Sequence, residues 1–250
     1  MEPYVGVTGV MSDVEAISLL SAIPVAGSRR KLMMGLLASS KTIEGVPNKW
    51  PNRYPTLENI GSIFQDDPRA LNLIHFNTKD PSLLFEQMLK AHSLAGPHCH
   101  GFQLNVAWPD PRALRAFYMM RKGPTIVLQV GSRAFACVKD SPRELADKIA
   151  QEYAKYIDYV LLDPSGGLGR PLDAEVLRGY LRALGVRGLP IGLGVAGGLS
   201  ASTLHLVAPL LDEFPNLSID AEGKLRDEDD RLDISAATAY IKNAFTLFKK

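Results

Sequence analysis

The sequence predicts a single α/β domain over residues 1–250, a (β/α)8 TIM barrel, and three observations carry that prediction. Short apolar runs rich in β-branched residues alternate with longer amphipathic segments, the pattern of βα units around a parallel sheet. Eight such runs occur, and eight units in 250 residues is the size of a closed barrel. No linker or low-complexity stretch divides the chain, so one domain accounts for it. A doubly wound open sheet is the alternative arrangement of the same units.

In the first unit YVGVTGV (4–10) precedes the amphipathic segment SDVEAISLLSAI, which Ser12 opens as a cap. KLMMGLL (31–37) is the second strand, followed by the long connection ASSKTIEGVPNKWPNRYP. ALNLIHFNT (70–78) leads into PSLLFEQMLKAHSLA, and GFQLNVAW (101–108) into PRALRAFYMMRKG. TIVLQV (125–130) is followed by SPRELADKIAQEYAKYI, and YVLLD (159–163) reaches DAEVLRGYLRALG through a glycine-rich loop. PIGLGVA (190–196) precedes SASTLHLVAPLLDEF, and LSID (217–220) precedes ISAATAYIKNAFTLF.

Composition narrows the function classes. With 46% hydrophobic and 22% charged residues the chain can bury a large core as a soluble protein. A formal net charge of +1 offers no basic surplus for neutralising phosphates, so nucleic acid is not an expected partner. Two cysteines, Cys99 and Cys137, are too few for a disulfide framework, and MEPYVGVTGV has neither a basic start nor a long apolar core. These features read as a reducing cytoplasm. No apolar stretch approaches the roughly 20 residues that span a bilayer, so no membrane partner is expected.

In a barrel, function sits at the C-terminal ends of the strands and in the loops that follow. Loop 7, GVAGGLSAST, carries glycines that let backbone N–H groups approach an anion, with Ser200 or Ser202 opening the next helix. Loop 8, DAEGKLR, has another glycine just past its strand. Gly197, Gly198 and Gly223 are therefore candidate phosphate contacts, with tight-turn formation as the plain alternative.

Residues two apart on a strand share a face. His75 and Asn77 fall together on strand 3, Gln103 and Asn105 on strand 4, and Gln129 lies near the end of strand 5. Amides recognise hydroxyls and ring edges by paired donors and acceptors, and they also satisfy loop backbones. His75 is the imidazole placed to act as a base. In the long second loop, Trp50, Arg53 and Tyr54 either clamp a planar or anionic group or pin the loop down. HCH at 98–100 lacks a fourth ligand, so no metal is expected, and no other cofactor either. Lys31 begins its strand, which leaves no strand-end lysine for a Schiff base. RDEDDR (226–231) reads as a solvated loop.

YVLLDPSGGLGRPLD resembles strand 6 and the following loop of phosphoribosylanthranilate isomerase, and VAGGLSASTL resembles that family's phosphate loop. PNRYPTLENI (51–60) is similar to its second loop, VGVTGVMSDVEA (5–16) to its first unit, and RLDISAATAYIKNAF to its last helix. The resemblance implies a barrel that performs an Amadori rearrangement on a phosphorylated aminosugar. It makes Asp163 the general acid that protonates the ring oxygen, and Arg53 a holder of the anthranilate carboxylate. Burial at an apolar strand end favours the protonated form of a carboxyl, which suits that role.

Two departures stand against the match. Gly6 occupies the place of the strand 1 cysteine that serves the family as general base, and neither Cys99 nor Cys137 is placed to substitute. The family's paired serines in loop 8 are Ala221 and Glu222, and a carboxylate there repels phosphate unless Glu222 turns outward or pairs with Lys224 or Arg226. The expected partner is a small phosphorylated metabolite, with assembly as a homodimer left open. The alternatives are a related barrel with a lyase or epimerase reaction, and a non-catalytic protein that binds a phosphorylated metabolite.

Overall fold

The computed structural model describes residues 1–24, 28–121, 123–165 and 171–249, the side chain of Arg121 excepted. The glycines of loop 6, at 166, 167 and 169, lie outside the described residues. The strands are β1 (Tyr4–Thr8), β2 (Lys31–Ser39), β3 (Ala70–Asn77), β4 (Gly101–Leu104), β5 (Thr125–Gly131), β6 (Tyr159–Asp163), β7 (Gly192–Ala196) and β8 (Ser218–Ala221). They pair in sequence order, all parallel, and β8 returns to β1 to close the sheet. The fold is a (β/α)8 barrel, and each expected strand is present. β4 is shorter than its apolar run because the chain turns away at Asn105–Trp108. There Trp108 adopts φ 49° and its indole N–H donates to the Ala134 carbonyl at 2.9 Å.

Alternation along each strand divides the barrel into two apolar regions. One set of residues, among them Val5, Val7, Leu32 and Met34, packs outward against the helices. The other set, Tyr4, Met33, Leu71, Leu73, Val127, Tyr159, Leu161 and Ala196, forms a separate cluster that fills the interior. Tyr4 and Tyr159 meet edge to face there, with ring centroids 5.3 Å apart. Toward the C-terminal ends of the strands the interior turns polar. Thr8, His75, Gln103, Gln129, Asp163 and Asp220 are all buried.

The outer layer comprises α1 (Asp13–Ser21), α2 (Ser40–Ile43), α3 (Ile60–Ile63), α4 (Leu84–Leu94), α5 (Pro111–Arg121), α6 (Ser132–Cys137), α7 (Pro142–Lys148), α8 (Ala174–Gly185), α9 (Ala208–Leu211) and α10 (Ile234–Leu247). Ser12 caps α1 as expected, accepting from the Glu15 amide. SASTLHLVAPLLDEF, by contrast, is not one helix. It forms a 3-10 turn at Leu204–Leu206 and then the single turn of α9. Pro209 lacks the N–H that would carry a helix through from the preceding turn. α6 is an unexpected short helix that carries Cys137. No helix among the described residues is long and apolar enough to cross a membrane.

Candidate functional site

Six strands contribute one polar side chain each to a buried set at the barrel mouth. Asp163 ends β6, and its Oδ2 accepts from Gln129 Nε2 at 2.9 Å. Its Oδ1 accepts from the Ser165 hydroxyl at 2.6 Å. On β8, Asp220 accepts from Gln103 Nε2 at 2.9 Å and from Thr8 Oγ1 at 3.1 and 3.2 Å. Gln103 Nε2 also donates to Gln129 Oε1 at 3.1 Å, so hydrogen bonds run unbroken from Ser165 through Asp163, Gln129, Gln103 and Asp220 to Thr8. A side-chain amide has two hydrogens. The two short contacts take them, which leaves His75 Nδ1, 3.4 Å from the same nitrogen, as the loosest neighbour.

Burial sets the proton affinities. Desolvation raises the Asp220 pKa from 3.8 to about 7; the Gln103 and Thr8 hydrogen bonds oppose the rise, and the charges of Glu222 and Asp163 add to it. Such a carboxyl takes up and releases a proton near neutral pH. Burial pulls the His75 pKa below 6.5, which favours the neutral imidazole. Burial also pushes the Cys99 thiol up to about 12, and its Sγ lies against the Gly101 carbonyl. His100, at the opposite end of the barrel, accepts the Asn72 amide on Nδ1 at 2.9 Å and so serves the local backbone.

Asp163, His75, Gln129 and Asp220 line one cavity together with the backbones of Gly197, Gly198 and Gly223. Gly197 and Gly198 have φ of 134° and 56°, which glycine adopts without strain. Thr203 locks the turn by donating to the Gly198 carbonyl at 2.9 Å while accepting the Ser200 amide at 2.8 Å. Ser200 and Ser202 therefore belong to a turn and do not open a helix. No helix N-terminus faces the cavity from loop 7; whatever anion affinity this wall has comes from loop amides and Lys224.

Arg53 reaches the same cavity already partnered. Its Nε lies 2.9 and 2.7 Å from the two Asp230 oxygens, and its Nη1 lies 3.2 Å from Glu222 Oε1. Asn52 adds a bond to the Asp229 carbonyl at 2.8 Å. The second loop is thus strapped across the mouth to loop 8, and the charge run 226–231 is not simply solvated. The Arg226 side chain is buried, donates to the Asp230 carbonyl at 3.0 Å and faces Glu222 at 3.7 Å. Glu222 is therefore charge-paired by Arg53 and Arg226, the condition for tolerating it beside a phosphate.

Asn77 and Asn105 do not join the buried set. Asn77, exposed at the end of β3, borders a second cavity of about 260 Å³ with Trp50, Tyr54, Lys41, Lys49 and Lys79. Asn105 lies half-buried just past β4. Thr8 and Asp220 are the members that the sequence reading passed over, although LSID ends on an acid as YVLLD does.

No family model matches the chain, and no curated protein does. Solved structures do match. The phosphoribosylanthranilate isomerase of Thermus thermophilus has a TM-score of 0.66 at 15% identity, over 98% of this chain and 99% of that one. The Thermotoga maritima enzyme has 0.65 at 19% identity, over 98% and 100%. A phosphoribosylanthranilate isomerase in complex with reduced 1-(o-carboxyphenylamino)-1-deoxyribulose 5-phosphate has 0.64 at 16% identity, again over 98% and 100%. At such identities the likeness carries the fold: the chain has a phosphoribosylanthranilate isomerase-like barrel.

Proposed function

We propose that the protein is an isomerase that carries out an Amadori rearrangement on a phosphorylated aminosugar, with Asp163 as general acid. The observation that carries this reading is that a buried strand-end carboxyl opens on the same cavity as the loop 7 and loop 8 glycines and Lys224. In this reading the phosphate lies against Gly197, Gly198 and Gly223, with Lys224 as its counter-charge. Asp163, oriented by Gln129 and Ser165, gives its proton to the ring oxygen as the carbon–oxygen bond at C1 breaks and the nitrogen lone pair forms C=N. His75 and Gln129 offer donors and acceptors to the sugar hydroxyls.

The engagement of Arg53 by Glu222 and Asp230 favours one variant of this reading, an aminosugar whose nitrogen carries no aryl carboxylate. The test follows the loss of fluorescence as phosphoribosylanthranilate rearranges, beside phosphorylated aminosugars with uncharged N-substituents followed by product formation. Turnover of either class that falls at least ~100-fold in Asp163→Asn supports the proposal. Wild-type protein inert toward both classes, or Asp163→Asn as active as wild type, sinks it.

A further inference from the structure

Gly6 lies in the middle of β1, in register with Asp220 on one side and Met33 on the other. A Cβ built on Gly6 falls 2.6 Å from Asp220 Oδ1, 3.1 Å from Asp220 Cγ and 2.8 Å from Met33 Cε. Carbon atoms in good contact stand about 3.5–4.0 Å apart, so a side chain at position 6 and the Asp220 carboxyl exclude one another. The glycine leaves a socket in β1 that the acid of the neighbouring strand fills from across the closing seam. Resting on the isomerase reading, we propose that Asp220 is the general base of the rearrangement, held in the Gly6 socket by Thr8 and Gln103.

The reaction needs such a group. Once Asp163 has opened the ring, a base must take the proton from C2. The C–H electron pair then forms C1=C2 while the C=N pair returns to nitrogen. Asp220 next returns the proton to C1 as the enol hydroxyl gives its own to Asp163, which leaves a 1-amino-1-deoxyketose and both acids as they began. The balance requires no co-reactant.

Asp220 suits this step better than His75. It lines the cavity, two donors fix its orientation, and its raised proton affinity makes it a stronger base than an ordinary carboxylate. His75 is weakened as a base by burial. Glu222, in loop 8 just past β8, and Asp163, at the end of β6, are the other acids that face Asp220 across the cavity. Tyr4 from β1 and Tyr240 from α10 stay neutral because burial pushes their hydroxyls far up.

The test compares wild type, Asp220→Asn, Asp220→Ala and the double variant Asp220→Ala with Gly6→Cys. Removing the acid clears two of the three nearest contacts of a Cβ at position 6, and the third is the flexible end of Met33. Asp220→Asn is expected to lower kcat/KM at least ~100-fold with inorganic phosphate affinity nearly unchanged. The double variant is expected to recover at least tenfold over Asp220→Ala. The rising limb of its pH profile should move from about 7 in wild type toward the ordinary thiol value of about 8.5. Turnover by wild type that Asp220→Asn retains overturns the role of Asp220 and leaves the isomerase reading standing. A double variant no more active than Asp220→Ala, or one whose limb stays near 7, overturns it as well. A wild type without turnover overturns both.

Discussion

A functional acid held against its solvation preference costs stability, and Asp220→Asn measures that cost directly. The folded pKa stands at about 7 and the reference value at 3.8, so between those limits the native state keeps a proton that the unfolded chain has lost. Stability therefore falls as pH rises through this window, by about 1.4 kcal/mol per pH unit at the steepest, and is flat outside it so far as this group is concerned. Across the whole window the loss amounts to ~4 kcal/mol, complete by pH 8. An asparagine carries no charge to desolvate. Its carbonyl can accept from Gln103 and its amide can donate to Thr8 Oγ1, so both neighbours keep a partner. The variant should match wild type near pH 4 and exceed it by up to ~4 kcal/mol at pH 8, about 8–16 °C in Tm for a chain of this size. Urea denaturation of both proteins at half-unit steps from pH 4 to 8 reads the difference. A stability gap that does not change with pH across that range refutes the reasoning, whatever its size.

Three further outcomes follow from the same geometry. Thr8→Val deletes the hydroxyl that donates to both Asp220 oxygens; a bond to a charged acceptor is worth ~1.5 kcal/mol or more. The rising limb of the pH–rate profile should climb about one pH unit above its wild-type position, and an unmoved limb detaches it from Asp220. Arg53→Met removes two half-exposed ion pairs that strap the second loop to loop 8. Global stability should drop by only about 1 kcal/mol, while protease cleavage within 44–59 accelerates about fivefold; equal cleavage rates mean that the strap does not hold the loop. Gly198→Asp adds a carboxylate at a φ of 56° that aspartate and asparagine both tolerate. Calorimetry should show inorganic phosphate bound at least tenfold more weakly than by Gly198→Asn, and equal affinities would remove the phosphate from loop 7.

The strands were legible because a barrel strand is apolar on both faces, so each stands out as a continuous run. β2 to β6 begin where their runs begin; alternation picked out His75 and Gln103, and position at a strand end picked out Gln129 and Asp163, all four of them buried in the barrel. Loop chemistry was less legible. Pro209 breaks the segment after loop 7, yet its apolar spacing still reads as helical. Asn105 follows Gln103 at the right interval, but β4 ends at Leu104, so the interval no longer specifies a face. The pairing of Arg53 with Glu222 and Asp230 joins residues 169 and 177 positions apart and leaves no local signature.

The least legible feature concerns position 6. A glycine in the middle of a barrel strand reads along the chain as a lost side chain; neither Cys99 nor Cys137 is placed to replace it, and His75 is the base that the sequence offers instead. The replacement comes from the strand most distant in sequence. β1 and β8 become neighbours only when the sheet closes, and the register that sets Gly6 beside Asp220 exists only in the closed barrel. Closure also explains why the socket is specific: β2 offers Met33 to the same space, but a thioether is only a weak acceptor, whereas a carboxylate accepts from both Thr8 and Gln103. An apparent gap in the machinery is thus a volume shared between two strands. Its chemistry belongs to whichever strand holds the polar side chain, and here that strand is β8.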